Sequence, residues 1–151
     1  MKENWAILND PHTHNLDTPK GDYYYVEDLL ARVYVKRLSK GALLCRVKAR
    51  KVVNGASIPW LCQLLIPKSG KYNRPSAVHD AGFEDGGLEF WIVDKWVFVE
   101  LTQKEIDYIY LKLMESREVP GWNRKTQYAG LRMGGWYQWN KYRKQDKRKA
   151  S

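Results

Sequence analysis

Two segments of this chain carry the residue types best suited to chemistry. One is the polar loop Asn54-Gly55-Ala56-Ser57-Ile58-Pro59, and the other is the adjacent pair His79-Asp80, about two dozen residues later. An imidazole titrates near neutrality and can take or give a proton. A carboxylate beside it, and a loop offering oxygens, could complete a general-base or metal-assisted site. The same residues also read as a plain turn followed by a helix with a well-packed histidine. Ser57 lacks the surroundings of a nucleophile elbow and is no strong nucleophile candidate.

The elements that must position these residues are legible as periodicities. Residues 1–22 hold Pro11, Pro19 and Gly21 and read as an irregular N-terminal arm. His12 and His14 alternate within it, but with no third ligand nearby a solvated loop suits them better than a metal site. From Tyr23 to Val53 the pattern is β: Ala31, Val33 and Val35 alternate with Arg32, Tyr34 and Lys36, the period of a half-buried strand. Ser39-Lys40-Gly41 turns the chain, Leu43–Val53 returns it, and Asn54-Gly55 breaks it, since both residues tolerate positive φ. Pro59 to Ile66 is an apolar helix or packed loop, and Pro67-Lys68-Ser69-Gly70 is a turn. Pro75 suits the first turn of a helix running to about Phe83, so His79 and Asp80 should be helical. Leu88–Val93 and Trp96–Leu101 flank Asp94-Lys95 as a hairpin.

Thr102 and Glu105 have capping-box spacing. Ile106, Ile109, Tyr110 and Leu113 follow as one apolar stripe, with Asp107 beside it. A last helix is predicted over Asn123 to Met133, with Gly134-Gly135 releasing the chain. The fold class expected is α+β: an N-terminal antiparallel sheet, then packed helices with an inserted β-hairpin. The expected organisation is an arm over 1–22, one globular domain over 23–139 and a basic tail over 140–151.

Length and composition allow one folded domain with a real core. The formal charge of +9 is concentrated at the end, where six cations between Lys141 and Lys149 face only Asp146. Trp136, Tyr137, Trp139 and Tyr142 interleave with this charge. Such a segment suits single-stranded nucleic acid, an anionic membrane surface or another protein, or it is simply a solvated terminus. Cys45 and Cys62 form neither a metal cluster nor a disulfide framework, which points to a reducing compartment. No signal peptide and no membrane-spanning run is visible.

Together, a strand, the loop Asn54 to Pro59, Gly70-Lys71-Tyr72 and Ala77-Val78-His79-Asp80 resemble a family of bacteriophage and prophage proteins of unknown function. Asp107 with Met114, and then Tyr128, Arg132 and Gly135, match its downstream pattern, so the resemblance covers about residues 45 to 139. It implies a phage-encoded protein, acting in the host cytoplasm or the virion, with other phage proteins as partners. The order of polar loop, His-Asp helix and acid-bearing helix is also similar to the phospholipases A2. That likeness implies His79 as the base, Asp107 as its orienter, and Asp80 with Asn54 as oxygen ligands of calcium. Asn54 stands where both patterns prefer Asp, removing a charge a hard cation would use.

Two function classes therefore remain. One is a non-catalytic virion or accessory component with an aromatic and basic contact surface. The other is a metal-assisted hydrolase of phospholipid or another ester, acting in phage entry or lysis. For His79 the alternative is a structural histidine bonded to Asp107 or a carbonyl. Asp80 could pair with Lys71 or Arg74, and Asp107 could be a surface carboxylate.

Overall fold

Alternation between Ala31 and Val35 has a simple structural origin: Ala31, Val33 and Val35 are buried while Arg32 and Lys36 are exposed. The computed structural model describes residues 5–19, 22–53 and 73–151. The strands are β1 (Ala6–Ile7), β2 (Thr13–Asn15), β3 (Tyr23–Tyr25), β4 (Leu29–Val33), β5 (Leu43–Val47), β6 (Gly87–Ile92) and β7 (Lys95–Glu100). The helices are α1 (Asn73–Asp85), α2 (Gln103–Ser116) and α3 (Gly121–Ala150). Five strands form an antiparallel sheet in the order β1-β4-β5-β6-β7, while β2 and β3 pair separately. Leu29, Ala31, Val33, Cys45, Val47 and Phe90 pack from the sheet against Val78 of α1 and Ile106, Ile109 and Leu113 of α2. The α+β class is as expected.

Several elements differ from expectation. Within residues 1–22 lie two strands rather than a wholly irregular arm. β1 pairs with β4, and Asn9 fastens the following turn, donating to Asp28 O and accepting from Leu30 N at 2.8 Å each. Backbone pairing thus ordered a segment whose side chains carry no apolar period. The strand returning from Leu43 ends at Val47; Arg50 sits at φ 64°, and Val53 is bridged to Tyr23 of the separate β2–β3 pair. The predicted loop at 54–59, the apolar segment to Ile66 and the turn at 67–70 lie outside the described residues. α1 begins two residues before Pro75 and ends at Asp85. The β6–β7 hairpin turns at Val93-Asp94, both with positive φ, one residue earlier than the expected Asp94-Lys95.

Beyond Met133 the expected break is absent: α3 runs unbroken through Gly134-Gly135. Glycine inside a helix costs about 1 kcal/mol relative to alanine, but packing on both sides overrides that cost. A Cβ on Gly135 would lie 2.8 Å from Gln103 Nε2 and 3.6 Å from the Phe83 ring, so α3 approaches α1 and α2 closely here and any side chain would have to displace the Gln103 amide. Past the glycines, Trp139 and Tyr142 meet Phe83 edge-on at 5.3 and 6.2 Å. Arg143 stacks over Trp139 at 4.4 Å and donates to the carbonyls of Phe83 and Glu84 at the end of α1. The start of the basic stretch is therefore packed helix rather than free tail.

α2 starts as its sequence predicts. Thr102 Oγ1 accepts from Glu105 N at 3.2 Å, and Glu105 Oε2 accepts from Thr102 N at 2.9 Å. Arg37 grips the same carboxylate at 2.7 and 3.1 Å. Thr102→Ala is expected to cost about 1 kcal/mol of stability. Urea denaturation checks this, and an unchanged midpoint and slope would show that the cap contributes nothing.

Candidate functional site

His79 sits in the middle of α1, on the face turned toward α2. Its ring stacks on Phe83, one turn along the same helix, at 5.2 Å and 26° between planes. Tyr110 of α2 closes the other flank at 5.2 Å. Flat aromatic walls leave the imidazole little freedom to rotate and bury it almost completely.

Asp107 stands on α2 one residue past Ile106, the first of the stripe that faces the sheet. It shares a second buried row with Tyr110 and Met114, because α2 packs against α1 and α3 as well as against the sheet. The surface position that its place beside the stripe allowed is not the one it takes: its side chain is wholly buried. There Oδ1 accepts from His79 Nε2 at 2.8 Å, and Oδ2 accepts from Arg132 of α3 at 2.9 Å. One carboxylate thus ties all three helices together.

The charge on Asp107 decides the histidine tautomer. An ionised carboxylate can only accept, so Nε2 carries the proton and Nδ1 keeps its lone pair. Nδ1 points toward Asp80, whose Oδ1 lies 3.8 Å away, beyond hydrogen-bond reach. Asp80 is itself nearly buried, and its Oδ2 has no hydrogen-bond partner among the described residues. Burial pushes the Asp80 carboxyl above its usual range, against the pull of His79, and the charge of Glu84 adds to the rise. For His79, burial favours the neutral ring. The hydrogen bond to Asp107 and the nearby Asp80 together outweigh it and raise the imidazole above its ordinary value.

Tyr23 and Tyr25 approach Asp80 from β3. Burial raises both phenols, and the charge of Asp80 contributes in each case. Tyr23 also bridges Val53, the last described residue before Asn54, so the chain enters the loop from beside this group. Asn54 itself lies outside the described residues. Among the described residues no three His, Cys, Asp or Glu side chains gather to hold a metal ion. Asp80 Oδ2 nonetheless has the chemistry of a ligand for a hard cation: a partnerless oxygen, shielded from solvent.

Of the residues singled out from sequence, His79, Asp80 and Asp107 come together, and His12 and His14 lie apart from them on the β2 arm. There His14 stacks on Tyr24 at 5.0 Å. Three contributors were not expected as site residues. Arg132 pins the far oxygen of Asp107, Tyr110 walls the imidazole, and Gln127 accepts a short hydrogen bond from the Tyr110 hydroxyl. Arg132 and Tyr110 did carry a signal, one in the closing motif and the other in the α2 stripe. Gln127 carried none.

A family model described as a protein of unknown function (DUF1353) matches residues 28–131. The chain belongs to this family. The match runs from β4 into α3 and contains His79, Asp80 and Asp107, with Arg132 just past its end. Comparison with curated proteins and with solved structures gave no match.

Proposed function

We propose that this member of the DUF1353 family is an ester hydrolase with His79 Nδ1 as its general base. The observation that carries the proposal is the division of labour on one ring. Nε2 is committed to a buried carboxylate that Arg132 pins in turn, while Nδ1 has no hydrogen bond to any described side chain. A purely structural histidine has no need of an uncommitted basic nitrogen beside a second buried acid.

In this mechanism Nδ1 takes a proton from water as the water oxygen bonds to the ester carbonyl carbon. Asp107 holds the ring in place and stabilises the imidazolium that forms. The same proton then passes to the leaving alkoxide as the carbon–oxygen bond breaks, giving an acid and an alcohol. Asp80 and Asn54 are the side chains that would hold a calcium ion, which when bound would polarise the carbonyl. A phospholipid or another ester, met during phage entry or lysis, is the substrate class this proposal takes.

The test is direct. Purified protein is incubated with short-chain phosphatidylcholine and with simple aryl esters, with calcium and with chelator, and released acid is titrated. Turnover that is lost in a folded His79→Ala variant supports the proposal. No turnover of any ester by folded wild-type protein, with or without calcium, would overturn it.

A second proposal has its own observation. Trp122, Met133, Trp136 and Tyr137 are all exposed on α3. Such a surface suits a non-catalytic virion or accessory component, in virion or host cytoplasm, that contacts another phage protein or nucleic acid. Co-purification of a stable complex by a catalytically silent protein would favour it.

A further inference from the structure

α3 touches the body of the protein through one face only. Gln127, Leu131, Gly135, Trp139 and Tyr142 succeed one another at three- and four-residue steps and turn inward. The opposite face is bare, and its large apolar side chains are 61 % (Trp122), 79 % (Met133), 59 % (Trp136) and 66 % (Tyr137) exposed.

These residues are ordered by an eleven-residue spacing. Eleven residues make three full turns plus about 20°, so residues so spaced form a nearly axial row on a straight helix. Trp122, Met133 and Lys144 form one row, and Lys125, Trp136 and Lys147 a second. Tyr137 and Arg148 continue a third. The stripe is thus straight, about 39 Å long from residue 122 to residue 148, aromatic and aliphatic in its first part and cationic at its end. Asp146, the one acid of the basic stretch, is engaged inward by Arg143 at 3.0 Å and does not neutralise Lys144, Lys147 or Arg148.

We propose that this outward face of α3 is the surface by which the protein settles on an anionic lipid bilayer. Trp, Tyr and Met side chains enter the boundary between headgroups and acyl chains, and the cations meet lipid phosphates. The helix lies in the plane of the bilayer: among the described residues no helix is long and apolar enough to cross a membrane. A straight stripe on a convex rod matches a flat surface. Single-stranded nucleic acid, by contrast, is tracked by concave grooves with stacking rings, and Met133, the most exposed of the four, offers no ring to stack on. The inference deepens the ester-hydrolase proposal, on which it rests for making the bilayer the source of substrate.

Co-sedimentation tests it. Full-length protein is mixed with vesicles of phosphatidylcholine alone or with phosphatidylglycerol added, at low and high salt. Binding should require the anionic lipid and weaken as salt rises. Lys144→Glu with Lys147→Glu should lower partitioning about fivefold or more for each cation lost. Met133→Ser with Trp136→Ser should lower it about tenfold by removing inserted apolar surface. Both pairs are on the bare face, so melting temperatures should stay at the wild-type value. His79→Ala should bind vesicles as wild type does. Absence of wild-type binding, binding unchanged in both variant pairs, or preferential binding of a single-stranded DNA oligomer over anionic vesicles would each overturn the proposal. Vesicle binding without ester turnover would defeat the hydrolase proposal alone. Turnover of a soluble ester without vesicle binding would defeat the docking surface alone.

Discussion

Asp107→Ala is expected to lower the unfolding free energy by about 3–5 kcal/mol, the range seen when one member of a buried charged pair is removed. The reason lies in what is left behind. Asp107 is fully buried and accepts from both His79 and Arg132. Without it, the His79 Nε2–H faces an apolar gap and the Arg132 guanidinium loses its carboxylate at the junction of three helices. Such a loss is a large part of a typical domain's stability. Asp107→Asn keeps the volume and one acceptor, so it should cost less than alanine does. Urea denaturation of the three proteins measures both differences. A loss below about 1 kcal/mol for alanine would place this group with exposed ion pairs, and Asp107 would then not be what holds the helices in register.

How much of this could be read from the sequence follows the range of the forces involved. The α2 cap was legible because both partners, Thr102 and Glu105, lie within one turn. The strand around Ala31 was legible because burial on a single face imposes a period of two. His79 was placed on a helix by Pro75, and its meeting with Asp107 was expected only through likeness to other proteins, since no local signal joins residues 28 apart in sequence. Asp107 was ambiguous for a definite reason. An amphipathic pattern describes one buried face, and α2 has two. The α3 break at Gly134-Gly135 was predicted from intrinsic propensity, which tertiary contact overrode: past the glycines Trp139 and Tyr142 pack on Phe83 and Arg143 bonds the end of α1, holding the helix continuous. Backbone pairing of β1 and β2 left no apolar pattern to find. Arg132 was visible as part of a motif, but its role depends on how α3 crosses α2, which sequence periodicity does not encode.

The rate of ester hydrolysis is expected to rise with pH along a limb set by His79, and to level off only above the ordinary histidine value of 6.5. General-base catalysis needs the neutral ring, whereas the carboxylates of Asp107 and Asp80 favour the charged one and raise its pKa. Asp80→Asn removes one of those charges and should move the limb toward lower pH. His79→Ala should flatten the profile and cut the rate by about 10²–10⁴-fold, the usual contribution of a positioned base. Stability should run the opposite way. A raised histidine pKa means that the folded state holds its proton more tightly than the unfolded one. The resulting stabilisation is complete below 6.5 and disappears as pH climbs through the folded value. Asp80 has the same sign: its carboxyl is raised from 3.8 by burial, so ionising it above that point also favours unfolding. Wild-type protein should therefore be less stable on the alkaline side of the limb, where it is most active, and His79→Ala should lose the histidine part of that slope. An activity limb centred below 6.5, or one that Asp80→Asn leaves in place, would show that the imidazole beside Asp80 is not the base. A stability slope unchanged in His79→Ala would show that its proton is not held by the fold.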